Sequence, residues 1–97
     1  MVGTMTVSKK LLDHLRAAFK RYGNKVLGDP DVTINFLPTE FDGYFEVLLT
    51  SPQFEKMEYT ERQNSIWKYL RSDPEVTNDD LLFITRIATG TEAVEFI

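Results

Sequence analysis

Twice between Val32 and Thr50 the chain alternates apolar and polar side chains at a period of two, with one short turn between the runs. Val32, Ile34 and Phe36 interleave with Thr33, Asn35 and Leu37, and Phe45, Val47 and Leu49 interleave with Tyr44, Glu46 and Leu48. Successive strand residues point to opposite faces, so each run buries one face only. The joining segment Pro38-Thr39-Glu40-Phe41-Asp42-Gly43 has the length and turn chemistry of an antiparallel hairpin. A two-stranded ribbon with one apolar face is marginal alone in water, so the flanking segments must cover it.

Those flanks carry a helical period. Leu11, Leu12, Leu15, Ala18, Phe19 and Tyr22 share one face of a first helix, with Ser8 or Thr6 as its cap and Gly23 at the expected left-handed stop. Gly28-Asp29-Pro30-Asp31 is a turn cluster. A second helix is expected from Tyr59 or Thr60 to Leu70, with Tyr59, Gln63, Ile66, Trp67 and Leu70 facing the core and Thr60 with Gln63 as a capping box. Ser72-Asp73-Pro74-Glu75 ends it. A third strand is expected over 81–88, alternating Leu82, Ile84, Arg86 and Ala88 against Leu81, Phe83, Thr85 and Ile87. Thr91-Glu92 opens a terminal turn whose Val94, Phe96 and Ile97 dock on the body. The order is α-β-β-α-β. A helix between the second and third strands lets the third lie parallel to an earlier one through a right-handed crossover. The expected fold is an α+β sandwich, a three-stranded mixed sheet with helices on one face, filling a single domain over residues 1–97.

Composition narrows the chemistry. The chain has no Cys and one His, which removes disulfides, thiolate metal sites, Cys nucleophiles and any two-His metal site. The net charge of -4 is unevenly spread. Residues 1–28 carry six basic side chains against Asp13 alone, and residues 29–97 carry five basic against fourteen acidic. An acidic body with one basic helix is a poor general nucleic-acid binder but presents a local basic face, Lys9, Arg16 and Lys20, to a partner. The longest apolar run, Leu81 to Ile84, is far below the about 20 residues of a membrane span. No signal h-region is seen, and a cytoplasmic protein is expected.

The stretch S-P-Q-F-E-K-M-E-Y-T-E-R-Q-N-S-I-W-K-Y-L, residues 51–70, together with the element order, resembles the BolA-like family. Ser51, Phe54, Glu55, Arg62, Ile66 and Leu70 stand at the family's positions without a gap, and Thr89-Gly90-Thr91-Glu92 resembles its Thr-Pro-Glu-Glu. The chain departs from the family where metal is held. The family's Gly is Lys56, its Arg-His-Arg is Arg62-Gln63-Asn64, and the region of its strand-3 His reads Asp79-Asp80-Leu81-Leu82-Phe83. The hairpin loop that carries the family's other ligand offers Glu40 and Asp42. Iron–sulfur irons prefer thiolate or imidazole, so the fold carries over better than the chemistry, and no cofactor is expected.

His14 is expected as a boundary residue of the first helix, Asp79-Asp80 as a solvated acidic loop, and Ser51 and Ser65 as hydroxyls with no adjacent base. Non-enzymatic function is expected. The resemblance implies a protein-interaction or regulatory module, with a monothiol glutaredoxin as one possible partner, without a shared cluster. The surface expected to meet a partner is Arg62, Gln63, Asn64, Lys68 and Arg86, with the hairpin loop as a second candidate. A nucleic-acid regulator is the competing reading, because the order is also related to the type II KH arrangement. Against it, the clamp position holds Pro52-Gln53-Phe54-Glu55 in place of a G-x-x-G loop. The chain is expected as a monomer or weak dimer.

Overall fold

The structure is a computed structural model that describes residues 8–92. It is an α+β fold built on one three-stranded mixed sheet. The expected docking of Val94, Phe96 and Ile97 lies outside the described residues.

Helix α1 spans Lys9–Tyr22. Its cap is Ser8, whose Oγ accepts the backbone N–H groups of Lys10 at 3.1 Å and Leu11 at 3.4 Å. Ser8→Ala removes the acceptor and is expected to cost about 1 kcal/mol, read as a lower urea midpoint with an unchanged slope. The expected stop at Gly23 is corrected. Gly23 is right-handed, and the chain winds on through a π-helical turn, Gly23–Leu27, to Gly28 at φ 68°. The glycine at position 23 answers to packing. A Cβ there would meet Val32 Cγ1 at 2.5 Å and the Asp29 carbonyl oxygen at 2.8 Å.

Strands β1 (Thr33–Pro38) and β2 (Phe45–Thr50) pair antiparallel, Phe36 opposite Val47. After β2 a 3-10 turn, Pro52–Lys56, leads into helix α2, Tyr59–Ser72. The cap of α2 is Glu58 rather than Thr60, and the Glu61 side chain accepts the Glu58 N–H. Tyr59, expected in the core, is exposed, and Phe54 of the 3-10 turn is fully buried. A short helix α3, Asn78–Leu81, follows, capped by Thr77 with Asp80. Strand β3, Ile84–Gly90, then runs parallel to β2. The expected start at Leu81 is thus displaced by α3, and the expected alternation breaks at an extra residue. Phe45 pairs with Ile84 and Glu46 with Arg86, leaving Thr85 as a bulge whose hydroxyl donates to the Phe45 carbonyl at 3.2 Å. The bulge puts Ile84 and Ile87 on the same face.

Both long helices cover that face. Leu15, Ala18, Phe19 and Tyr22 of α1 and Ile66 and Leu70 of α2 meet Ile34, Phe45, Val47, Leu49 and Ile87. Each such side chain contributes about 1.5–3 kcal/mol by leaving water. The opposite face, with Asn35, Leu37, Leu48 and Ala88, has no helix over it among the described residues and is half-buried.

Candidate functional site

Helix side chains reach both edges of the sheet. On the β1 edge, Arg16 Nη1 donates to the Ile34 carbonyl at 2.9 Å and Lys20 Nζ to the Val32 carbonyl at 3.1 Å. The Arg16 guanidinium also lies over the Phe36 ring, 5.0 Å from its centroid. On the β3 edge, Gln63 Nε2 donates to the Ile87 carbonyl at 2.7 Å and its Oε1 accepts the Trp67 indole N–H at 3.3 Å. Arg62 donates through Nε to the Met57 carbonyl and through Nη1 to Thr89 Oγ1, and stacks over Phe54.

This fixes the place of every residue singled out from sequence. Arg62 and Gln63 are engaged in holding α2 to the 3-10 turn and β3. Asn64 and Lys68 are exposed one turn apart on α2. Arg86 is exposed on the open face of the sheet, beside Glu46 in register, and so does not join Asn64 and Lys68 on one surface. Of the basic stripe, Arg16 and Lys20 reach back to β1, and Lys9 pairs with Asp13 at 3.5 Å.

His14 is tied down more firmly than a boundary residue needs to be. Its Nε2 lies 2.7 Å from the Glu75 carbonyl and 3.1 Å from Asp80 Oδ2. Both are acceptors, so Nε2 carries the proton. Burial pushes the Asp80 carboxyl up, but hydrogen bonds from the Thr77 backbone and side chain and the nearby His14 outweigh it and hold Asp80 below its ordinary value. Asp80 therefore caps α3 and clasps α1. Ser51 is fully buried, donates to Asp29 and caps the 3-10 turn, and Ser65 shares a hydrogen bond with the Tyr22 hydroxyl at 2.9 Å. No three His, Asp or Glu side chains among the described residues come together to hold a metal ion.

A different cluster gathers at the end of the sheet where β2 and β3 begin. The Tyr44 and Phe83 rings meet edge to face at 5.3 Å, joining the hairpin loop to the α3–β3 turn. Phe41 and Leu82, on these two segments, are 62% and 63% exposed, and Tyr44 is exposed as well. The hairpin loop is built to hold Phe41 out. Thr39 Oγ1 reaches the Phe41 and Tyr44 carbonyls at 3.0 Å and accepts the Phe41 N–H at 3.1 Å, and Gly43 supplies φ 83°. Glu40 and Asp42 stand exposed on the hairpin loop, and Asp79 on α3, just before the turn. Large apolar side chains held in water by an ordered turn and rimmed by charge are the pattern of a docking surface. Sequence reasoning named this loop as the second candidate partner surface, but singled out only its carboxylates, Glu40 and Asp42. The available signal was Phe41, an aromatic at a turn position where nothing in the strand pattern asks for one.

No family model, curated protein or solved structure matches the chain.

Proposed function

We propose that the chain is a non-enzymatic, BolA-like protein-interaction or regulatory module of the cytoplasm, and that it docks its partner through the Phe41–Tyr44–Leu82 end of the sheet. The observation that carries this reading is the Tyr44–Phe83 contact, which brings two exposed apolar segments into one surface. The resemblance noted above points to the same two segments, because the hairpin loop and the start of strand 3 are where the BolA-like family holds its shared cluster. Here they carry apolar and acidic side chains, which suits direct contact with a protein, a monothiol glutaredoxin being the partner class that the resemblance implies. The start of α2, expected to be the first choice of surface, is less suited, since Arg62 and Gln63 already have partners within the fold. The same argument weighs against a nucleic-acid regulator, because Arg16 and Lys20 are drawn onto β1 and Glu55 occupies the turn before α2.

Phe41→Ser and Leu82→Ser replace exposed side chains, so the fold and its circular dichroism are expected to survive. In affinity capture with the wild-type chain as bait, a partner that binds reversibly with the purified chain is expected to be lost on either substitution. A partner bound equally by both variants, or none at all, overturns the reading. Retardation of DNA or RNA that weakens linearly with log salt would favour the nucleic-acid alternative.

A further inference from the structure

On the open face of the sheet, beside the docking end, a groove of about 500 Å³ runs between the hairpin loop and β3. Leu37, Pro38 and Phe41 supply its apolar wall, Thr39 and Thr85 its hydroxyls, and Glu40 and Glu46 its charge. None of the lining side chains is basic. Glu46 pairs in register with Arg86 across β2 and β3, yet among the described residues neither Glu46 nor Glu40 has an ion-pair partner. Two carboxylates and an apolar wall in one groove match a long aliphatic stem that ends in a cation.

We infer that this groove receives an Arg or Lys side chain of the docked protein, the stem along Leu37 and Phe41 and the head between Glu40 and Glu46. The inference rests on the docking reading above and gives it a recognition chemistry: a basic segment of the partner, seated next to the apolar contact at Phe41. The planar guanidinium suits the site better than ammonium, because its fork bonds two carboxylates at once while its face lies against an aromatic ring.

The probe is n-butylguanidinium, an arginine side chain without its backbone, with neutral n-butylurea and sodium chloride as controls. Titrated into the full ¹⁵N-labelled chain, n-butylguanidinium is expected to give saturable shifts at the amides of Leu37, Thr39, Glu40, Phe41, Glu46 and Thr85, and n-butylurea none. Glu46→Gln is expected to weaken the response about two- to fivefold, the range of a solvent-exposed ion pair, with the rest of the spectrum unchanged. An absent or non-saturating response, an equal response to n-butylurea, or shifts centred elsewhere overturns the assignment. Concentration-dependent shifts at the same amides without any probe would give the groove to a second copy's basic helix and overturn a separate partner. The two readings fail separately. A captured partner that needs Phe41 but binds the Glu40→Gln/Glu46→Gln variant unchanged removes the groove and leaves the docking end. Seating of n-butylguanidinium with no partner that depends on Phe41 or Leu82 does the reverse.

Discussion

Asp73→Ala is expected to destabilise the chain by about 3–5 kcal/mol, the range for breaking a buried ion pair from one side. The Asp73 side chain is 3% exposed, and its oxygens accept three hydrogen bonds. Arg21 Nε donates to Oδ2 at 2.9 Å, the Tyr69 hydroxyl to Oδ2 at 2.8 Å, and the Glu75 N–H to Oδ1 at 2.9 Å. These three tie the end of α2, the last turn of α1 and the turn towards α3 to one carboxylate. Without it Arg21 keeps only Glu75, at 3.7 Å, and its Nη2 is already buried with no partner. The melting temperature should fall by at least about 12 °C. A drop of only a few degrees would show that the Arg21 side chain, 26% exposed, is satisfied by water once Asp73 is gone, and would refute the buried-pair assignment.

The same carboxylate sets an acid limb. Burial pushes the Asp73 carboxyl up, but the Arg21, Glu75 and Tyr69 hydrogen bonds outweigh that and hold it down at about 2, against 3.8 for a free side chain. A carboxyl depressed in the folded state binds fewer protons there than in the unfolded one. Its stabilisation is therefore complete above the unfolded value and is lost as pH falls from about 4 through 2. The amount is about 2 kcal/mol. Urea unfolding at pH 6 and at pH 2.5 should show that loss in the wild type and a flatter limb in Asp73→Asn; parallel limbs would refute the assignment.

Gly23→Ala is the second large effect, and two terms of opposite sign compete in it. Alanine favours a helix over glycine by about 1 kcal/mol. Overpacking at a position with no room costs about 1–3 kcal/mol or more. The added methyl would lie 2.5 Å from Val32 Cγ1, and the Val32 side chain is fully buried. It would also lie 2.8 Å from the Asp29 carbonyl, a backbone atom that cannot rotate away. Asp29 N–H itself donates to the Gly23 carbonyl at 2.8 Å, so the two segments cannot separate without breaking that bond. Both contacts are closer than a methyl can come, which puts the cost at the top of that range, so the clash wins by about 2 kcal/mol, read as a melting temperature lower by about 8–16 °C. Gly28→Ala, with nothing within 4 Å of the new methyl, is the control. It should cost only the left-handed strain of φ 68°, about 1 kcal/mol. An unchanged melting temperature in Gly23→Ala would mean that the π-helical turn can loosen.

These two glycines show what local sequence carries. The hairpin was legible because Ile34, Phe36, Phe45, Val47 and Leu49 obey one period, and that period is a property of the strand itself. The inward face of α1 was legible for the same reason. The assignment of the stop to Gly23 failed because a glycine can serve a left-handed turn or a close approach, and only the position of Val32 distinguishes them. The third strand was shifted because Leu81 to Ile84 is apolar throughout, so periodicity gave no boundary there. Thr77 and Asp80, which start α3, read as part of an acidic loop until they meet as a cap. Charge was the least legible feature. Arg16, Lys20, Arg62 and Gln63 have the composition of a binding surface, but each has a partner inside the fold that lies far away in sequence. The apolar end formed by Phe41, Tyr44, Leu82 and Phe83 was invisible because it joins segments about forty residues apart, a juxtaposition that depends on β2 and β3 being parallel.

The side chains that reach the sheet edges also have an order in time. Arg16 and Lys20 precede β1 in the chain, and Arg62 and Gln63 precede β3. A ribosome makes the chain from its N-terminus, so Arg16 and Gln63 are synthesised before the strands whose Ile34 and Ile87 carbonyls they meet. An edge that waits for its cover is a template for another chain. Here a side-chain donor to each edge strand, Arg16 for β1 and Gln63 for β3, has already been made when that strand emerges.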